Sequence, residues 1–321
     1  MHIVIIGGTG HVGTYLVPRL VEAGHTVTEV SRGQREPYQP HGAWASVSHV
    51  TLDRTEEEKA GTFGEAIRAL EPDVVIDMIC FTLESAHQIV EALQGEVRAF
   101  LHCSTVWVHG KTATIPVSED QPRRPIGDYG IKKAAIEAYL HRMARETGFP
   151  ATCILPGHIS GPGWVSLNPT ANFNPEVYAA LARGQRVTLP NQGQAVVHHV
   201  HADDVAQLFV KALQNLNLAI GESFHAVSPA ALTLRGYAEA VAGWFGQEVN
   251  LDFAPFDSWR ETVSDADADA TRGHLVHSPN CYSIAKAQRL LDYRPRYTSL
   301  QAARESLQWL IANDVIDLDQ A

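Results

Sequence analysis

Residues Met1 to Gly13 read MHIVIIGGTGHVG, and this run decides the fold. Ile3, Val4, Ile5 and Ile6 form an aliphatic stretch that stops at Gly7-Gly8. Gly10 and Gly13 follow, and apolar residues then recur at helical spacing through Val12, Leu16, Leu20 and Val21. The pattern is a buried strand, a glycine turn and the start of a helix. Without Cβ atoms such a turn lets the backbone approach a pyrophosphate, whose charge is favoured by the free N–H groups and dipole of the helix N-terminus. The spacing is G-x-x-G-x-x-G rather than G-x-G-x-x-G. A plain strand-to-helix turn also uses glycine, but the position directly after a clean first strand favours a dinucleotide site.

Outward from that loop, Gly24-His25 ends the helix and Thr26 to Val30 reads as a second strand. Ser31-Arg32-Gly33 then occupies the place where an NAD-selecting site carries an acid for the ribose hydroxyls. With the acid absent there and Arg32 present, the choice tilts to NADP over NAD. A third strand near Val47 to Leu52 ends in Asp53-Arg54. Asp53 reads either as a contact for the adenine amino group or as a cap before Thr55. A helix over Phe63 to Leu70, an apolar strand over Asp73 to Ile79, a helix over Ser85 to Leu93 and a strand over Arg98 to Cys103 continue the alternation. This indicates a doubly wound α/β fold with a parallel sheet.

The fifth strand runs into Ser104-Thr105-Val106-Trp107-Val108-His109-Gly110, and Tyr129-Gly130-Ile131-Lys132-Lys133 opens a later helix. Tyr129 and Lys133 are four apart and share a helical face. An ammonium beside a phenol favours the phenolate, which lowers the tyrosine pKa and suits it to general acid–base work. The same lysine can hold a nicotinamide ribose, and Ser104 or Thr105 can hold a substrate oxygen.

With the glycine loop, the hydroxyl pair and the Tyr/Lys pair in that order, the chain resembles the extended short-chain dehydrogenase/reductase superfamily, the NAD(P)-dependent epimerase/dehydratase group. The resemblance implies a Rossmann sheet and a catalytic set of Tyr129, Lys133, Thr105 and Ser104, with Thr105 preferred by spacing. It implies a cofactor set of Gly7, Thr9, Gly10, His11, Val12, Gly13, Ser31, Arg32, Asp53, Arg54, Ile79, Cys80, Lys133 and Pro156. His158, with Thr105 and Tyr129, is the implied substrate contact. It also implies a homodimer paired through the helix of Tyr129 and that of Ser85 to Leu93. Sugar-nucleotide members carry an arginine for the substrate diphosphate at what is here Val197, leaving Arg183, Arg186 and Arg272 as the cations that could compensate. The segment ARGQRVTLPNQG and the following H-x-H-x-D-D are similar to the chloroplast stem-loop-binding branch, which raises an RNA-associated, non-catalytic alternative.

Composition bounds these readings. The 321 residues are 45% hydrophobic and 19% charged, with a formal net charge of −11, enough for a substantial core and against a nucleic-acid surface. Four scattered cysteines, no membrane-length apolar run and no signal-peptide pattern lead us to expect a cytoplasmic protein with reduced thiols and no membrane partner. His198, His199 and His201 invite a metal reading, with His199 and His201 on one face of a strand, but no further ligand is evident and no metal site is expected. Domain boundaries are expected at 1–165 for the dinucleotide-binding part, with 195–228 returning to it. Residues 166–194 and 229–321 form a small, discontinuous, mainly C-terminal substrate-binding portion. Within it, Asp257 to Pro279, with the run DADADA, lacks periodicity and reads as mobile. The function expected is hydride transfer between a sugar or sugar-like polyol and NADP or NAD, with Tyr129 as base or acid.

Overall fold

A computed structural model describes residues 1–318. Seven strands form the central sheet: β1 (His2–Ile6), β2 (Thr26–Ser31), β3 (Ser48–Thr51), β4 (Val74–Asp77), β5 (Ala99–Cys103), β6 (Ala151–Pro156) and β7 (Ser223–Ala226). Their spatial order is β7-β6-β5-β4-β1-β2-β3, and every neighbouring pair is parallel. Helices α1 (Gly13–Glu22), α2 (Arg54–Ala60), α3 (Phe63–Arg68), α4 (Leu83–Leu93) and α5 (Gly127–Thr147) connect the strands. Ile3, Ile5, Val74, Val75, Leu101 and Ile154 are fully buried, as a sheet covered on both faces requires. The strand order reverses direction between β1 and β4, so ligands are received at the carboxyl ends there.

Helix α6 (Glu176–Ala182) and α7 (Ala202–Gln214) follow, the second returning to pack on α1. Asp203 at its start joins Arg19 of α1 at 2.6 Å and Arg296 at 3.2 Å, while Asp204 accepts the backbone N–H groups of Arg296 and Tyr297. A second apolar core gathers Leu167, Tyr178, Leu189, Tyr237, Val241 and Leu310. Tyr282, Ile284, Ala287, Leu291 and Tyr293 pack into the first core instead, so the helix Ala285–Leu291 and its flanks belong with the main sheet.

The stretch read as mobile is a helix, Asp265–Leu275. Ser264 accepts the N–H of Asp267, Asp265 and Asp267 lie in the first turn where the helix dipole favours them, and the intervening alanines are strong helix formers. Asn174 donates to Asp267, and Thr271 links Asn172 to the carbonyl of Thr170. Asn168, accepting from the Thr170 hydroxyl and from the amides of Thr170 and Asn172, organises the loop on which this helix docks.

Candidate active site

The glycine loop has the shape its sequence implies. Gly7 takes φ +83°, and a Cβ on Gly13 would lie 1.9 Å from the carbonyl oxygen of Gly8, so only glycine lets α1 approach the loop so closely. At Gly10 a Cβ would meet only the Gly7 carbonyl, at 3.4 Å. The amides of His11 and Val12 make no hydrogen bond among the described residues, and no side chain caps α1. Unclaimed donors at a helix start fit a pyrophosphate. His11 is buried there, stacked on Trp164 at 5.3 Å, and burial holds its pKa down at about 3, with His201 adding to the effect.

At the carboxyl end of β2 the structure adds to the sequence reading. An acid is present, two residues earlier than expected: Glu29 lies one rung lower on the same face of β2, and its longer side chain brings the carboxylate up to Ser31. Glu29 Oε2 accepts the Ser31 hydroxyl at 3.1 Å, and Oε1 has no partner among the described residues. Both residues line a cavity of about 230 Å3 with Thr9, Arg35, Trp44 and His49. Arg32, expected to mark NADP, is exposed and lines neither this cavity nor the larger one; Arg35 lines both. Asp53 caps α2, accepting the Thr55 amide at 2.9 Å. Arg54 turns inward, bonding Asp77 at 2.8 and 3.0 Å and Glu58 at 2.5 Å.

A cavity of about 610 Å3 joins the glycine loop to the second half of the site. Of the residues singled out from sequence, Gly7, Gly10, His11, Val12, Gly13, Ile79, Thr105, Tyr129 and His158 line it. Ser104 does not: its hydroxyl is buried without a partner among the described residues. Pro156 is buried at the end of β6, where its neighbours Gly157 and His158 reach the cavity. Thr105 accepts the Trp107 amide at 3.3 Å and also interacts with the Tyr129 hydroxyl.

The Tyr129–Lys133 pair differs from expectation. Lys133 is buried beneath the cavity and donates to the carbonyls of Cys80 and Cys103, at 2.7 Å each. Burial pushes its pKa below the ordinary lysine value. Its ammonium lies 6.0 Å from the centre of the Tyr129 ring. Desolvation of its hydroxyl, reinforced by Cys103, pushes the Tyr129 phenol up to about 12 although 43% of the residue is exposed, while the Thr105 interaction pulls downward. The lysine is anchored to backbone and does not lower the phenol, so Tyr129 is protonated at neutral pH.

The far wall is aromatic and was not legible in the sequence. Trp107 meets Tyr129 at 6.1 Å, His158 at 6.2 Å and His274 at 5.2 Å edge-on, and stacks on His277 at 4.2 Å. Phe173 meets His274 edge-on at 5.6 Å. Burial holds His158 well below the usual histidine range, helped by His274 and His199, and holds His274 at about 4. His198, His199 and His201 go to separate partners, the Ser228 carbonyl, the Leu167 carbonyl and Glu305.

A family model described as "NAD dependent epimerase/dehydratase family" matches residues 3–225. The 2′-dehydrokanamycin reductase of Streptomyces kanamyceticus is 28% identical over 267 residues, covering 83% of this chain and 73% of that protein. The chloroplast stem-loop binding protein of 41 kDa b of Arabidopsis thaliana is 25% identical over 313 residues, covering 95% and 78%. Among solved structures, UDP-glucose 4-epimerase from Thermotoga maritima with UDP-glucose superposes with a TM-score of 0.74 at 19% identity, covering 98% of this chain and 99% of that one, a likeness of fold.

Proposed function

The chain belongs to the NAD dependent epimerase/dehydratase family, and from that premise we propose that it transfers hydride between a nicotinamide dinucleotide and a sugar or sugar-like polyol. The observation that carries this reading is a single cavity with the glycine loop at one end and the hydroxyls of Tyr129 and Thr105 at the other. A bound dinucleotide would lie on the loop and Gly7, Gly10, Gly13 and supply the hydride donor or acceptor. Thr105 holds the reacting oxygen, and Tyr129 exchanges its proton. A phenol near 12 is loaded as an acid, which suits protonation of a carbonyl oxygen during reduction. Lys133, anchored to the carbonyls of Cys80 and Cys103, positions the helix turn that carries Tyr129.

We infer NAD rather than NADP, because a 2′-phosphate would face the Glu29 carboxylate, whereas ribose hydroxyls would donate to it. A homodimer through α4 and α5 remains our expectation, checked by sedimentation. Among the described residues no helix is long and apolar enough to cross a membrane. The stem-loop-binding relative favours an RNA-associated second reading. The net charge of −11 weighs against phosphate-backbone binding.

The test is mass spectrometry of the dinucleotide that co-purifies, followed by a hydride-transfer screen over polyols and their carbonyl forms. NAD(H) and turnover of a sugar-like compound are expected. Absence of transfer to every compound, together with an RNA gel shift at physiological salt, would overturn the enzyme reading.

A further inference from the structure

The substrate end of the cavity differs in character from its cofactor end. Five aromatic side chains are exposed among the described residues, namely Phe81, Tyr129, Trp164, Phe173 and Phe253, and the first four line this one cavity. Exposed aromatic groups gathered in a concavity are the usual lining of a site for a ligand with an apolar face.

Charge is missing from the same walls. Arg35 is the only lysine or arginine lining the cavity among the described residues, and it belongs to the ribose end because it also lines the Glu29 cavity. Val197 is 2% exposed and engaged in strand pairing with Leu232. Arg183 is turned to the Asp317 carbonyl, and Arg272 pairs with Asp269 and lies over Phe256. Neither these nor Arg186 reaches the cavity. Lys133 is held below the floor by two carbonyls. His158 and His274, held low by burial, are neutral imidazoles at physiological pH, suited to hydroxyl groups. Among the described residues no aspartate or glutamate lines the cavity either, which weighs against a polycation.

A diphosphate placed against these walls would lose hydration and gain no cation. A sugar ring or aromatic aglycone would gain stacking area. We propose that the substrate is an uncharged glycoside with an apolar aglycone, and that nucleoside diphosphate sugars are excluded. This rests on the oxidoreductase reading above and narrows it.

The experiment is calorimetric titration of the NAD-loaded protein with phenyl β-D-glucopyranoside and with UDP-glucose, hydride transfer being recorded separately. Phenyl glucoside is expected to bind, with UDP-glucose weaker by about tenfold or more. Phe173→Ala, an exposed position, should weaken phenyl glucoside by about tenfold and leave NAD affinity unchanged. Equal or tighter binding of UDP-glucose, no binding of phenyl glucoside, or an unaltered Phe173→Ala variant would each overturn the proposal. Glycoside binding without transfer to any compound would remove the oxidoreductase reading and leave the cavity's preference standing. Transfer from UDP-glucose would do the reverse.

Discussion

Lys133 holds its ammonium 6.0 Å from the ring centre of Tyr129 and directs its hydrogen bonds elsewhere, to the carbonyls of Cys80 and Cys103. The pair is therefore a protonated phenol over a structural cation. Tyr129→Phe is expected to lower turnover by about 10²- to 10⁴-fold while NAD titrates with unchanged affinity. Normal turnover in that variant would remove the tyrosine from the proton transfer. In the reductive direction the rate should fall as the pH climbs towards about 12, where the phenol loses its proton.

Glu29 supplies the second expectation. Glu29→Gln removes the charge that opposes a 2′-phosphate but keeps the shape beneath Gly8, where a Cβ would lie 2.7 Å from the Glu29 side chain. The ratio of NADP to NAD affinity should rise by about tenfold, read by competitive titration. An unchanged ratio would show that the ribose is selected elsewhere.

Much of the scaffold could be read from periodicity. β1 and β4 announce themselves as aliphatic runs because both their faces are buried, Thr105 and the three glycines follow strands, and Tyr129 is marked by its spacing to Lys133. Glu29 could not be read this way. It lies inside a strand, two residues before the position where a ribose-binding acid is expected, and its longer side chain carries the carboxylate up to Ser31. Trp164 and Phe173 share one irregular segment, and His274 comes from a distant helix that docks on it through Asn172 and Thr271. The DADADA run has a period of two, and its helix is set by a cap and by alanine propensity, which apolar spacing does not report.

Arg54 and Asp77 form a buried pair, with the guanidinium lying 4.8 Å from the Phe63 ring. Asp77→Ala leaves that cation without its main partner and should cost about 3–5 kcal/mol in urea denaturation. Converting both to apolar residues, Asp77→Leu with Arg54→Met, should recover most of the loss. A single variant as stable as the parent would mean water reaches the site.

Burial also fixes the response to acid. It holds His11 at about 3 and His198, His199, His201 and His274 at about 4, against 6.5 in the unfolded chain. The unfolded chain takes up protons through that window and the folded chain refuses them, so stability falls as the pH drops from about 6.5 to about 4. Asp204, raised by burial to about 6, and Glu305, raised likewise, act in the opposite sense but are outnumbered by the histidines that burial lowers. Thermal melts should show a lower midpoint at about pH 5 than at about pH 7. A midpoint that rose on acidification would mean the carboxylates prevail.

His11 rides on the loop shaped for phosphates, while Trp164, stacked on it, begins the irregular segment that walls the opposite side. The two compartments thus share one pair of rings as a common partition. Grafting a foreign 163–174 segment to retarget the enzyme would strip a face from the imidazole and alter the dinucleotide's seat as well, so any retargeting must redesign both ends together.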